Sequence, residues 1–457
     1  MKIKIISILV LLSVILVSGF GCKRLDKNTQ AAVKPVTLEY WRVFDGPDDF
    51  ADIIAKYKAR HPHITIKYKK FRYDEYEDAI LNALAEDRGP DILSIHNSWV
   101  RKYQSKLTPM PAETSMAYIV VKGSIKKEQV PEIRTNKSMT LKQIKDSFVD
   151  VVYDDVVVDG KVYALPLSVD TLALYYNRDL FNNAGITEIP QYWNRDFQQN
   201  VKKLTRHDNR FGIIQSGVAL GGGENVERSI DILSALIMQN GGTMQSSSGQ
   251  ILFNTVPEAY KNNNYNPGLE ALRFYTDFAN PAKEVYCWSD ELNNSLEMFI
   301  SGNLAMMFSY SYNLPVIRSR APQLDFSVTS FPQIEGNSFN VNFANYWVEA
   351  VSSKSKNKNE AWDFVKFMTE KSQAQTYLDK TKKPTALKSL IDYQKEKYAE
   401  LGVFTDQVLT ARSWYKGKNP LAMESIMVEM IENVNSGKLD IQSAINLAAS
   451  KVQQTVK

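Results

Sequence analysis

The sequence after residue 35 alternates between strand-like and helix-like segments, and this alternation restricts the fold more than any other feature. β-Branched and aromatic residues predict strands at 36–41, 64–68 and 91–95. Apolar residues at helical spacing predict helices at 48–57 and 73–86. Strands that alternate with helices in this way form a mostly parallel sheet with right-handed connections. The chain is therefore predicted to be an α/β protein.

Ligands of open α/β sheets bind beyond the carboxyl ends of the strands. In this sequence two of those ends carry the segments 41–45 and 96–99, which contain tryptophan next to polar residues. Both segments are therefore candidates for a ligand site.

The first 21 residues have the pattern of a secretory signal peptide. Lys2 and Lys4 precede an apolar run over 5–17, and small residues follow. The run is shorter than the ~20 apolar residues that a membrane-spanning helix needs. The sequence therefore predicts an exported protein from which residues 1–21 are removed, and a retained membrane anchor is the alternative.

Cys22 follows Gly21 in a pattern that resembles a bacterial lipobox, in which the cysteine is lipidated and becomes the mature N-terminus. Gly19 departs from that pattern, which usually has leucine at this position. We predict that Cys22 is lipidated and that residues 22–35 form a flexible tether. The protein would then lie at the outer face of the cell membrane, or in the periplasm. An incidental cysteine near a cleavage site is the alternative.

Composition and missing motifs exclude several classes of protein. Lysine and arginine total 55 against 51 aspartates and glutamates, and the resulting net charge of +4 is small for a nucleic-acid-binding protein. Four histidines and two cysteines leave little material for a metal site or a disulfide framework. The common metalloprotease, phosphate-loop and hydrolase motifs are absent from the sequence. We therefore predict no cofactor, no metal and no nucleic-acid partner.

A series of short motifs occurs in a specific order along the chain. They include Gly-Pro-Asp-Ile at 89–92, Gly-Lys-Val-Tyr-Ala-Leu-Pro at 160–166, Leu-Tyr-Tyr-Asn-Arg-Asp-Leu at 174–180, Phe-Ile-Ser-Gly at 299–302 and Glu-Ala-Trp-Asp-Phe at 360–364. In their order and spacing, over about 36–369, the sequence resembles the extracellular solute-binding proteins of ABC importers, in the group that includes maltose-binding protein.

The resemblance implies a two-lobed periplasmic-binding-protein fold of the type II kind. Each lobe would be a mostly parallel sheet flanked by helices, and crossover strands would form a hinge between the lobes. The first lobe would comprise 36–153 and 325–377, and the second would comprise 154–324 and the C-terminal helices of 378–457. The lysine-rich segment 110–150 does not fit the sheet and is predicted to be a partly helical insertion.

The resemblance also places aromatic and polar residues on the loops of the cleft between the lobes. A sugar has flat C–H faces and hydroxyls at its edges, so its site needs aromatic rings and fixed polar groups. The candidate ligand-binding residues are Trp41, Asp45, Asn97, Ser98, Trp99, Asp170, Thr171, Asn225, Trp288, Tyr310, Tyr312, Asn345, Trp347 and Trp414.

Core packing is the alternative for each candidate aromatic residue. Trp193 and Trp362 lie among apolar residues and are assigned to the core, whereas Trp41 fits either environment. Asp45 and Asp170 could equally cap helices. Polar neighbours at loop positions favour the cleft for a further group. That group comprises Trp99, Trp347 and Trp414.

These observations predict a lipid-anchored, non-enzymatic substrate-binding component of an ABC importer. It would bind a sugar or oligosaccharide as a monomer and deliver it to the permease subunits in the membrane. An exported carbohydrate-active hydrolase with two carboxylates in its cleft is one alternative. A binding protein for a non-sugar metabolite, or one that presents its ligand to a surface sensor, is another.

Overall fold

The computed structural model of the protein describes residues 33–457 apart from 124–127 and 264. The predicted signal peptide, the lipidation site Cys22 and the tether as far as residue 32 lie outside the described residues. Within the described part of the chain, no helix combines the length and the apolar character needed to pass through a bilayer.

The strands are numbered in chain order. They are β1 (Val36–Val43), β2 (Ile64–Phe71), β3 (Ile92–His96), β4 (Leu107–Thr108), β5 (Glu113–Lys122), β6 (Glu128–Lys137), β7 (Val157–Val158), β8 (Lys161–Val162), β9 (Ala164–Pro166), β10 (Asp170–Thr171), β11 (Ala173–Asn177), β12 (Arg206–His207), β13 (Ile213–Gln215), β14 (Met306–Ser309), β15 (Phe326–Ser330), β16 (Asn342–Asn345), β17 (Trp347–Ser352) and β18 (Ala411–Arg412).

The α-helices are numbered in the same way. They are α1 (Pro47–Arg60), α2 (Tyr73–Ala85), α3 (Val100–Tyr103), α4 (Leu141–Ser147), α5 (Asp150–Val156), α6 (Arg178–Asn183), α7 (Arg195–Leu204), α8 (Ser229–Gln239), α9 (Pro267–Asp277), α10 (Ser295–Ile300), α11 (Asn313–Arg320), α12 (Lys358–Met368), α13 (Lys371–Thr381), α14 (Ile391–Lys397), α15 (Ala399–Gln407), α16 (Pro420–Asn435) and α17 (Ile441–Thr455).

The first hydrophobic core is built on a sheet in the order β2-β1-β3-β17-β4, with β9 also paired to β17. β1 is parallel to β2 and to β3, whereas β17 is antiparallel to β3. α1 buries Phe50, Ile53 and Tyr57 completely against this sheet. The predicted alternation of parallel strands and helices at the start of the chain is confirmed.

The second hydrophobic core surrounds a sheet in the order β14-β11-β15. β11 is antiparallel to both of its neighbours. The expectation of a mostly parallel sheet is therefore wrong for these strands, although the lobe combines helices and strands as predicted.

The chain passes between the two cores three times, through a small sheet in the order β10-β16-β18. Most buried apolar residues of 38–169 and 344–391 belong to the first core, and most of those of 172–343 and 414–452 belong to the second. Each lobe is therefore assembled from separated stretches of sequence, joined by strands that can act as a hinge.

The crossings differ from the predicted lobe boundaries at 153, 324 and 377. β9 pairs with β17, so the chain stays with the first core well beyond residue 153. β15 pairs with β11, which keeps it in the second core. Tyr377, Leu390 and Ile391 are buried in the first core. Long-range pairing and packing, which local sequence does not encode, decide these positions.

The segment 110–150 is mainly a β-hairpin. β5 and β6 pair in antiparallel register from Glu113↔Lys137 to Lys122↔Glu128, and only α4 and the first residue of α5 are helical there. The hairpin joins the first core, where the Thr114 hydroxyl donates to Asp363 on α12 at 3.0 Å. The prediction of a partly helical insertion is wrong for most of this segment, because its β-branched residues outweigh its lysines.

Candidate ligand-binding cleft

Three aromatic side chains lie together at the carboxyl edge of the first sheet. Phe44 follows β1, Tyr73 follows β2, and Trp347 begins β17 opposite the end of β3. The Phe44 and Tyr73 rings stack 5.8 Å apart and meet the Trp347 ring edge-on at 5.5 and 6.2 Å. Phe44 is 55% exposed and Tyr73 is 54% exposed. We call these three residues the aromatic platform, since grouped exposed rings mark a binding surface.

The backbone at Phe44 holds its ring out of the core. Its φ is 66°, in the left-handed region that bulky residues rarely adopt. The next residue, Asp45, fixes the turn, because its carboxylate accepts hydrogen bonds from the Tyr377 hydroxyl at 2.9 Å and the Lys383 ammonium at 2.5 Å. Asp45 also pairs with Arg42 at 2.7 Å. These contacts offset the strain at Phe44 and keep the platform in place.

Asp45 is itself buried beneath the platform. Burial alone would raise the pKa of its carboxyl, but Arg42 and Lys383 outweigh that effect and hold the pKa below its ordinary value. Arg42 continues the network by donating to Glu349 on β17 at 2.6 Å. The structure therefore makes Asp45 a buried anion of this network, and its contact with a ligand stays a prediction.

Polar groups at the end of β3 lie beside the platform. The His96 ring is hydrogen-bonded through Nδ1 to the Ser98 hydroxyl at 2.8 Å and through Nε2 to Asn345 Oδ1 at 3.1 Å. Burial lowers the pKa of His96 to about 4, and Arg228 across the cleft lowers it too. The imidazole is therefore neutral at pH 7, and because Asn345 Oδ1 is an acceptor the ring proton lies on Nε2.

A charged cluster forms the facing wall on the second lobe. Arg228, which precedes α8, donates through Nε and a terminal nitrogen to Asp231 at 2.7 and 2.9 Å. The Tyr310 hydroxyl donates to the same carboxylate at 2.6 Å. Glu424 on α16 lies 3.6 Å from the Arg228 guanidinium. This wall therefore presents carboxylates and one guanidinium towards the end of β3.

A cavity of about 30 Å³ separates the two walls. Residues of both lobes line it, among them His96, Asn97, Ser98, Arg228, Asp231, Asn345, Ser413, Trp414 and Glu424. Its volume suits about one or two water molecules and is far below the roughly 300–1,000 Å³ of sites for small organic ligands. The lobes are therefore closed on each other, and a larger ligand can enter only when they separate.

A buried carboxylate bridges the lobes beside this cavity. Asp155 on α5 accepts hydrogen bonds from Asn97 at 2.9 Å and from the Tyr346 hydroxyl at 2.6 Å. Ser413 and Lys416, which lead from β18 into the second core, also donate to Asp155. Burial lowers the pKa of Lys416 to about 7. We call Asp155, Ser413 and Lys416 the interlobe latch.

Some of the predicted ligand residues reach the cleft, and their contact with a ligand stays a prediction. Trp347 belongs to the aromatic platform, and Tyr312 is exposed and stacked on Tyr310 at 5.8 Å. Trp99 is buried with its ring edge-on to Trp347 at 5.7 Å, so it supports the platform from below. The predicted residues that line the cavity itself are Asn97, Ser98, Asn345 and Trp414.

The structure places a second group of predicted ligand residues in the core. The Trp288 indole is fully buried and donates to Asn225 at 2.8 Å, so these two side chains satisfy each other. Tyr310 is fully buried on Asp231, and the Thr171 hydroxyl donates to the Phe404 carbonyl at 3.3 Å. In this conformation their hydrogen-bonding groups are used by partners within the protein, and their contact with a ligand stays a prediction.

Trp41 and Asp170 are also enclosed. Trp41 is buried in the first core and packs against Phe71, with ring centroids 4.7 Å apart. Asp170 lies in the crossover strand β10 and accepts hydrogen bonds from the backbone and hydroxyl of Ser311 at 3.0 and 2.6 Å. Burial raises the pKa of Asp170 to about 6. Both side chains contact the protein interior in this conformation, and their contact with a ligand stays a prediction.

Phe44, Tyr73, Arg228 and Glu424 are among the cleft residues that sequence reasoning missed. Phe44 lies within the flagged segment 41–45, and Tyr73 comes two residues after the end of β2, so position alone could have identified both. Arg228 and Glu424 carry no such signal, because 196 residues of sequence separate them and only folding brings them together.

The described residues contain no cluster of three or more histidine, cysteine, aspartate or glutamate side chains arranged to hold a metal ion. Cys287 is buried in the second core, and burial raises its pKa to about 12. Its thiol is therefore protonated and acts as a small apolar group.

Comparison with known proteins adds an independent line of evidence. The family model described as bacterial extracellular solute-binding protein matches residues 45–375. The chain is 21% identical to the galactooligosaccharide-binding protein of Bacillus subtilis, over 94% of this chain and 92% of that protein. Its fold is similar to that of the cyclic α-maltosyl-1,6-maltose binding protein of Arthrobacter globiformis, with a TM-score of 0.71, 16% identity and coverage of 93% and 99% of the two chains. It is also similar to the sugar-binding protein MalE of Xanthomonas citri, with a TM-score of 0.69, 17% identity and coverage of 92% and 97%.

Proposed function

The chain belongs to the bacterial extracellular solute-binding protein family, a non-enzymatic class, and on that premise we propose that it captures a sugar or oligosaccharide between its lobes. It would then deliver the sugar to the membrane permease of an ABC importer. The aromatic platform is the single observation that carries this proposal.

The platform has the chemistry that a sugar requires. Its exposed rings offer apolar faces on which the C–H face of a pyranose can stack, which removes apolar area of both partners from water. Asn97, Ser98 and Asn345 lie next to it and supply fixed groups for hydroxyls. A sugar that bridges the platform and the second-lobe wall would hold the lobes together.

The proteins with similar sequences support the same class of ligand. Besides the galactooligosaccharide-binding protein, the chain is 25% identical to the multiple sugar-binding protein of Streptococcus mutans over 51% of its own length and 53% of that protein. We infer that this chain shares a carbohydrate ligand with them, although its platform residues decide which one.

A thermal-shift screen followed by calorimetry tests the proposal. The panel contains neutral, acidic and amino sugars of one to six units, together with amino acids, polyamines and phosphate esters. We expect at least one sugar to raise the melting temperature, because a ligand at about 100 times its Kd stabilises the folded state by about 2.7 kcal/mol. If only non-sugar compounds raise it, the proposal is wrong.

We also propose that the exported protein is lipidated at Cys22. Membership of an extracellular family supports export. The amide of Val36, at the start of β1, donates to the His63 carbonyl at 2.9 Å, so the chain enters the fold at the edge of the first sheet opposite the platform. A tether at that edge would leave the cleft facing away from the anchor. Cys22→Ser should leave the protein uncleaved or released into the medium, and wild-type protein without lipid would contradict this.

A further inference from the structure

The charges of the second-lobe wall do not balance. Asp231 holds the Arg228 guanidinium through two hydrogen bonds, so this pair is close to neutral. Glu424 lies 3.6 Å from the same guanidinium. Glu227 accepts a hydrogen bond from the neutral amide of Asn313 at 3.1 Å. Two carboxylates, Glu424 and Glu227, therefore remain beyond the Arg228–Asp231 pair.

Cations elsewhere around the cleft do not compensate for them. Lys383 donates to Asp45 at 2.5 Å, and Lys416 donates to Asp155 within the interlobe latch. His96 is neutral at pH 7, since burial lowers its pKa to about 4. On the side of the second lobe the carboxylates thus outnumber the cations, although burial raises the pKa of both Glu424 and Glu227.

The aromatic platform lies across the cleft from these carboxylates. His96 meets the Trp347 ring at 5.9 Å and lines the same cavity as Glu424. The Tyr73 ring meets the Trp347 ring edge-on at 6.2 Å, so Tyr73 belongs to the same wall of the cleft. Aromatic faces attract cations through their quadrupole, independently of any ionised group. The aromatic platform and the second-lobe wall therefore both favour a positively charged ligand group, the platform through its ring quadrupoles and the wall through its carboxylates.

We infer that the ligand of this cleft is an amino sugar or an oligosaccharide that contains one, with its protonated amine held between the aromatic platform and the carboxylates of Glu424 and Glu227. This inference rests on the proposed function, because it assumes that a sugar binds in the same cleft. The sugar stacks on the platform through its C–H face, and its ammonium donates charge-assisted hydrogen bonds to the wall. An acidic sugar is disfavoured, because its carboxylate would approach like charges.

Calorimetry with three tetrasaccharides of equal length tests the inference. The ligands are the tetramers of glucosamine, N-acetylglucosamine and galacturonic acid, at a pH where the amines are protonated. We expect the glucosamine tetramer to bind roughly tenfold more tightly than its acetylated counterpart, the scale of a desolvated cation on aromatic faces. This preference should shrink as salt is added, because salt screens partly exposed charges. We expect the galacturonate tetramer to bind least.

Matched variants on one helix show whether the wall causes this preference. Glu424→Gln should bring the ratio of the two affinities towards one, because the neutral amide no longer attracts the ammonium. Glu429→Gln is the control, since Glu429 lies on the same helix, half exposed, and is bonded to Lys451 at 2.7 Å. Glu227→Gln is measured in parallel, and a melting curve of each variant reports whether it folds. If both Glu424→Gln and Glu227→Gln keep the full preference, the inference is overturned.

The other outcomes separate the inference from the proposed function. Equal binding of the amino and acetylated tetramers, or tightest binding of the galacturonate, overturns the inference and leaves sugar binding intact. Binding of spermidine with no binding of any sugar overturns the proposed function, and with it the assignment of an amino sugar. If neither these ligands nor any other sugar binds, both the inference and the proposed function are overturned.

Discussion

Trp347 has both a structural position in the first sheet and a ring at the surface of the cleft. It begins the strand that returns to the first sheet, and its ring contacts Phe44, Tyr73 and Trp99. The ring packs on buried Tyr76 and Trp99 on one side and on exposed Phe44 and Tyr73 on the other. Its substitution should therefore affect binding and stability very differently.

We predict that Trp347→Ala weakens sugar binding by about 1–3 kcal/mol, or roughly ten- to a hundredfold, because a buried aromatic anchor is lost. The variant should remain folded. Trp362→Ala is the control: Trp362 is fully buried and its indole donates to the Thr108 carbonyl at 3.1 Å, so its loss should cost about 3–5 kcal/mol of stability. Calorimetry and melting curves measure both effects. Unchanged affinity in Trp347→Ala would contradict the site.

His96 should make the stability of the protein depend on pH. Its pKa is about 4 in the folded protein, against an ordinary value of 6.5, so the unfolded chain binds the proton first. The contribution of His96 to the free energy of unfolding is therefore complete above about pH 7 and falls as the pH drops towards 4, by about 2 kcal/mol between pH 7 and pH 5.

We predict that His96→Gln reduces the loss of stability between pH 7 and pH 5 by that amount, as measured by urea unfolding. His207→Gln, at an exposed position, should leave the pH dependence as it is in the wild type. The same slope in wild type and His96→Gln would show that the imidazole is accessible to protons in the folded state.

At the scale of elements, local patterns in the sequence predict where strands and helices lie, but they do not predict which distant strands pair. The strands and helices of the first 60 body residues can be predicted because each carries its own period, such as Phe50, Ile53 and Tyr57 on one face of α1. The partners of β15 and β17 cannot, because each depends on a strand more than 100 residues away in the sequence. The hairpin of β5 and β6 was not predicted for a third reason. The lysines of this segment suggested a polar insertion, although its β-branched residues favour strands.

The residues of the candidate site likewise differ in whether local sequence or only the folded structure identifies them. Segments that follow strands can be identified from sequence, and Asn97 and Ser98 were identified in this way. Whether a tryptophan near such a segment faces the core depends on side-chain partners, as the Trp288–Asn225 hydrogen bond illustrates. Charged pairs across separate elements, such as Arg228 and Glu424, appear only in three dimensions.

The interlobe latch links α5 to the segment that follows β18. We predict that Asp155→Asn shifts the protein towards its open arrangement, so that it closes less than the wild type at the same sugar concentration, because Lys416 then loses its buried partner and its burial is no longer favourable. A larger radius of gyration by small-angle scattering, without loss of helix content, is the expected result. Asp150→Asn is the matched control, since Asp150 lies on the same helix, half exposed, and pairs with Lys388 at 2.7 Å. An unchanged radius in Asp155→Asn would show that closure does not depend on the latch.

At the scale of the whole molecule, closure and ligand entry exclude each other. The cavity of about 30 Å³ admits no sugar, so the lobes must separate about the three crossover strands before binding. We predict that the ligand-free protein in solution has a larger radius of gyration than this closed structure, and that a saturating sugar reduces it. Identical scattering curves with and without the ligand would contradict a hinge.

The three crossings also govern the order in which the protein can form during its synthesis. β17 lies between β3 and β4 in the first sheet, yet it is made only after most of the second lobe. Until residue 352 has left the ribosome, the first sheet lacks an interior strand and exposes unpaired edges, so neither lobe can complete its core early. Late completion is a liability for a cytosolic protein, because unpaired edges aggregate. For an exported protein it is an advantage, because a chain that cannot complete its fold early stays unfolded enough to be translocated across the membrane. The first lobe then completes its sheet after translocation.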